Sequence, residues 1–115
     1  MSRALTEPES AALVAMIERG VPDDGVVGDA DRREWLELVP WIRAGDRCGC
    51  GTCPSIELVV DERPGTAGGP RIVLVAGVAG ALLLLFVDGG RPSYLELAPV
   101  GDERITEFPP ADEIR

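Results

Sequence analysis

Two kinds of hydrophobic spacing divide the chain. Near the N-terminus, Leu13, Met16 and Ile17 recur at i, i+3 and i+4, which is the spacing of one helix face. Thr6-Glu7-Pro8-Glu9 stands before them as a T-x-x-E capping box, with proline in the first turn where its missing N–H costs nothing. Gly20 and Pro22 mark the stop, with Gly20 at the position expected of a C′ glycine. The stretch Val21 to Ala30 (VPDDGVVGDA) reads as a loop. Asp31 followed by Glu34 signals a second helix start, and Trp35, Leu38 and Val39 form its apolar stripe, ended by Pro40. Beyond Pro40 the period changes to two. Ser55 to Asp61 sets Ile56, Leu58 and Val60 against Glu57 and Asp61, and Ser93 to Ala98 (SYLELA) places Leu95 and Leu97 on one face. Trp41 to Arg47 is a less regular strand candidate.

Ile72 to Val87 (IVLVAGVAGALLLLFV) holds no charge. It is shorter than the roughly 20 residues that a helix needs to span the hydrocarbon layer, and no basic cluster flanks it. Arg71 to Ala76 and Ala81 to Val87 instead have strand length, and Gly77-Val78-Ala79-Gly80 between them supplies two positions free to take positive φ, so a hairpin is predicted. Asp88-Gly89-Gly90-Arg91-Pro92 is the next turn. Asp61 to Pro70 (DERPGTAGGP) is a connection, and the tail from Ile105 to Ile114 is irregular, with Phe108 and Ile114 able to dock it. The order predicts a single α+β domain over residues 1–115: two N-terminal helices packed on one face of a four-stranded antiparallel β-meander. No helix separates the later strands, which argues against parallel crossovers.

Composition narrows the chemistry more than the fold. The 115 residues include no His, Lys, Asn or Gln, and all 11 basic residues are Arg. Ser-His-Asp and Cys-His constellations, histidine metal sites, the Schiff-base lysine and the P-loop lysine are thereby excluded. With 20 acidic residues the formal charge is −9, which repels nucleic-acid phosphates and anionic membranes; solubility is its simplest reading, and a protein partner with a basic surface is the functional one. Met1 to Glu9 carries acids and Pro8 rather than a basic region followed by an apolar core, so a cytoplasmic location is expected.

One cluster has chemical content: Cys48-Gly49-Cys50-Gly51-Thr52-Cys53-Pro54. Three thiolates this close could hold a soft metal such as zinc, but tetrahedral coordination wants a fourth ligand, for which Asp46 is the nearest candidate. As a redox thiol site the turn lacks His or Lys to lower a cysteine pKa. The simplest reading is a reduced, metal-free, glycine-laced turn with packed cysteines and no cofactor. The acidic pairs Asp23-Asp24, Asp102-Glu103 and Asp112-Glu113 lack EF-hand spacing and read as solvated charge. Trp35, Trp41 and Tyr94 are the candidate partner-binding aromatics, although core packing at the helix-to-strand junction is the simpler account of the tryptophans and cross-strand packing that of Tyr94.

Leu38-Val39-Pro40, the Arg43-Ala44-Gly45-Asp46-Arg47-Cys48-Gly49-Cys50-Gly51 turn, Pro54-Ser55-Ile56, Val87-Asp88-Gly89, Tyr94-Leu95-Glu96-Leu97 and Phe108-Pro109-Pro110 together resemble a group of small uncharacterised actinobacterial proteins of about this length. The resemblance covers most of the chain and brings no established activity or functional residue with it. Two departures stand out: the second hairpin is less polar here, and Thr52-Cys53 is added before the proline. A looser similarity is to immunity or partner-binding proteins of toxin systems. The expected function is therefore that of a non-enzymatic, acidic binding protein, with an immunity or inhibitor role as one form of it and a homodimer allowed; the alternative is a metal-binding or redox-responsive site at Cys48, Cys50 and Cys53, with Asp46.

Overall fold

Residues 3–23, 25–47, 54–60, 71–101, 105 and 107–114 are described by the computed structural model. The first helix, α1 (Glu7–Arg19), begins where the capping box demands. The Thr6 backbone N–H donates to Glu9 Oε1 at 2.8 Å, and the Glu9 N–H donates to Thr6 Oγ1 at 3.3 Å. Arg3, in the short strand β1 (Arg3–Ala4), donates through both terminal nitrogens to the two Glu9 oxygens at 2.8 Å each. Glu9 is buried, and this fork holds its carboxyl below the usual carboxylate range, with the Thr6 N–H assisting and burial opposing.

A group whose folded pKa is depressed contributes its full stability above the unfolded pKa and loses it as the pH falls through the folded one. Glu9→Gln is therefore expected to destabilise the protein by about 1–2 kcal/mol at neutral pH. In urea titrations the gap from wild type should narrow as the pH drops from about 5 toward about 2. A gap that stays constant over that range would show that the ion pair contributes nothing.

After α1 the chain enters β2 (Val21–Pro22), which pairs antiparallel with β5 (Ile72–Val78). The region expected to be loop from Val21 thus opens with an edge strand. Helix α2 (Asp29–Leu38) starts before the expected Asp31: Gly28 is its N-cap, and Asp31 sits at N3, where its Oδ2 accepts from the Gly28 N–H at 3.3 Å. A 3-10 turn (Val39–Trp41) carries Pro40 into β3 (Ile42–Arg47), followed by β4 (Ile56–Val60).

After β5 come β6 (Ala81–Asp88) and β7 (Arg91–Pro99). The hairpin expected from the apolar run is present, with Ile72 opposite Val87 and Val78 opposite Ala81. Its loop is only Ala79-Gly80; Gly80 takes φ 76°, whereas Gly77 lies within β5 opposite Leu82 instead of in the turn. The next loop, Gly89-Gly90, has both residues at positive φ, as a two-residue hairpin that follows the strand twist requires.

Among the described residues all pairings are antiparallel, and the sheet has seven strands in the order β1-β3-β4-β7-β6-β5-β2 rather than four in a meander. Strand β4 lies against β7, not against its successor β5. Ser55, buried at the start of β4, helps fix this neighbour: its Oγ accepts from the Leu97 N–H at 2.9 Å. Strands β1 and β2, which no hydrophobic alternation marks, have two residues each and end the sheet with short edges, one of them carrying Pro22.

Both helices pack on one face. Beneath them Leu74, Leu85, Leu95 and Ile56 form a continuous row across β5, β6, β7 and β4, every one fully buried. Phe108 and Ile114 are buried and tie the C-terminal segment to this core, as the tail suggested. Among the described residues no helix is long and apolar enough to cross a membrane.

Candidate interaction surfaces

Residues paired across antiparallel strands share a face of the sheet. The register therefore defines the face opposite the helices: Val73, Val75 and Gly77 on β5; Leu82, Leu84 and Phe86 on β6; Tyr94, Glu96 and Ala98 on β7; Glu57 on β4. No helix or strand among the described residues covers this open face. Leu82 is 44% exposed, and Leu84, Phe86 and Tyr94 are half-buried.

Tyr94 is thus placed on the open face, where its ring lies 6.1 Å from that of Phe86 at 52°. Arg71 sits over the other side of this pair, its guanidinium carbon 5.2 Å from the Phe86 centroid. Its Nε donates to Asp88 Oδ1 at 2.7 Å, and Ser93 donates its hydroxyl to Asp88 Oδ2. Arg71, then Ser93, hold the Asp88 carboxyl below the usual range. Phe86 and Leu84 were not singled out from the sequence. The signal that could have found them is the lack of alternation in β6: a strand with one solvated face should set polar residues between its leucines.

The two tryptophans separate. Trp35 is 3% exposed and belongs to the core, where it offers a partner no surface; Trp41 is 47% exposed. Trp35 falls on the inward face of α2 with Leu38, while the 3-10 turn at Pro40 rotates the chain out of the helical register before Trp41. Asp29, Asp31, Glu34 and Glu37 are exposed along α2. Of the helix's two arginines, Arg32 is engaged, donating to the Ile17 and Gly20 carbonyls at 2.8 and 2.9 Å, where it closes the C-terminal end of α1.

Cys48, Cys50 and Cys53 lie outside the described residues. Asp46 is exposed near the end of β3. Among the described residues no three His, Cys, Asp or Glu side chains stand close enough to hold a metal ion. Of the acidic pairs, Asp23, Asp112 and Glu113 are exposed, and the remaining members are outside the described set. Two shallow grooves flank α1, one along Thr6, Ser10 and Val14, the other between Pro8, Ala11 and Pro109. Both are lined mainly by small and apolar side chains. No protein-family model matches the chain, and no curated protein or solved structure is found to be similar to it.

Proposed function

We propose that this protein is a non-enzymatic binding module that presents the acidic face of α2 and the adjoining Trp41 to a protein partner with a basic surface. The observation that carries the reading is the placement of an exposed tryptophan just after a helix whose outward positions hold Asp29, Asp31, Glu34 and Glu37 against a single exposed cation, Arg33. An exposed aromatic supplies a large contact of low conformational cost, and the surrounding acids steer a cationic partner and fix its orientation. General acid–base work near neutral pH would need a group titrating there, and with no His or Lys in the chain that role falls to a strongly shifted carboxylate, Tyr94 or a cysteine. A role as inhibitor or immunity protein is one form that such a module can take.

The test is affinity capture from lysate of the source organism with three baits: wild type, Trp41→Ala with Glu34→Lys and Glu37→Lys, and a triple Cys→Ser variant. The expected result is a partner held by wild type and by the triple Cys→Ser protein and lost by the α2 variant. Its association rate with wild type should fall by about tenfold or more between low and high salt. Loss of the partner on cysteine replacement, or stoichiometric zinc in the untagged protein together with a thiol- or metal-dependent activity, would favour the cysteine site instead. Capture that ignores Trp41, Glu34 and Glu37 would reject the surface named here.

A further inference from the structure

We infer that the open face of the sheet is a self-association surface, on which a second copy of this chain packs face to face about a two-fold axis. Three observations point to the same occupant. First, the centre of the face is apolar: Val75, Leu84, Phe86 and Leu82 lie side by side on β5 and β6, and Tyr94 and Ala98 continue the patch on β7. Second, among the described residues the face is close to balanced in charge, in a chain of charge −9, with Asp46 at its β3 edge the one acid in excess. The register and the Arg71–Asp88 pair place Arg43, Arg71 and Arg91 on it against Glu57, Asp88 and Glu96. A basic partner finds little net field to follow there, and the acidic α2 lies on the other side of the sheet. A second copy, which the bulk of the molecule would repel, meets a nearly neutral patch.

Third, the charges are arranged for an isologous contact, in which each residue meets the symmetry mate of its partner. Arg91 opposite Asp88 and Glu96 opposite Leu84 lie on either side of the Phe86–Tyr94 level. A two-fold axis running across the strands at that level brings Arg91 of one copy over Glu96 of the other, twice per dimer, and stacks the aromatic pairs near the axis. Five strands spaced about 4.8 Å apart and three to four side-chain levels give a face of roughly 500–650 Å² in projection before side-chain relief is added. That approaches the roughly 800 Å² per partner of a stable complex, so association in the micromolar range is expected.

The experiment is sedimentation equilibrium of the full chain over a concentration series, for wild type, Leu84→Glu, Arg91→Glu, Glu96→Arg and the double charge swap. Circular dichroism and urea midpoints confirm that each variant is folded. Wild type should have the mass of two chains at about 100 µM and dissociate on dilution. Leu84→Glu should be monomeric throughout, each single charge reversal should weaken the dimer by about tenfold or more, and Arg91→Glu with Glu96→Arg should recover most of that loss. A monomeric wild type at every concentration, a dimer indifferent to Leu84→Glu, or a double swap no better than the singles would overturn the proposal. The outcome is independent of the α2 reading, because none of these substitutions touches Trp41, Glu34 or Glu37.

Discussion

Replacing Leu85 by Ala should cost about 3–5 kcal/mol in urea unfolding, with the slope of the transition unchanged. Leu85 is fully buried at the middle of β6, between Leu74 on β5 and Leu95 on β7, each itself fully buried. Truncation removes the transfer free energy of the lost methyl and methylene groups and leaves a cavity that hydrogen-bonded strands on both sides prevent from closing. Leu82→Ala, three residues away on the same strand but on the open face and 44% exposed, should cost under about 1 kcal/mol in the monomer. Equal losses at the two positions would mean that the helices do not define the buried side of the sheet.

Gly20→Ala should be nearly as damaging, at about 2–4 kcal/mol by the same measurement. A Cβ at Gly20 would lie 2.6 Å from the Met16 carbonyl oxygen and 2.8 Å from Leu74 Cβ. Neither can yield cheaply, since one is helix backbone accepting the Gly20 N–H at 2.8 Å and the other is the root of a fully buried strand residue. Gly25→Ala is the control. Gly25 has φ 81° with nothing within 4 Å of an added Cβ, so its substitution carries backbone strain alone, about 1 kcal/mol. If Gly25→Ala proved the worse of the two, close packing of the α1 terminus on β5 would not be what requires Gly20.

Signals in the sequence agree with the structure where their physics is local. The Thr6–Glu9 capping box and the docking of Phe108 and Ile114 appear where the residue pattern puts them, as does the β5–β6 hairpin, its turn narrowed from Gly77–Gly80 to Ala79-Gly80. The capping groups lie within one turn of each other, and a hairpin is fixed by a two-residue loop and the strands beside it. Gly20 shows the limit of such reading. Its sequence position suggested a left-handed C′ glycine, yet its φ is −57°, and glycine is needed there because β5 passes too close for a side chain.

The candidate surfaces divide in the same way. An acidic helix beside a tryptophan could be read from the sequence, but which tryptophan is exposed could not, because Trp35 lies in the helix and Trp41 ends the 3-10 turn after it, and only packing fixes the helix rotation. The sequence by itself determined the order of the two helices and the longer strands, the inward leucines and the absence of histidine and lysine chemistry. The tertiary structure decided that β7, rather than β5, lies beside β4, that Arg3–Ala4 and Val21–Pro22 complete a seven-stranded sheet, and that Phe86, Tyr94 and Arg71 meet on its open face. Pairing between segments far apart in the chain is set by burial and backbone hydrogen bonding over the whole sheet, and a two-residue edge strand has no periodicity of its own to announce it.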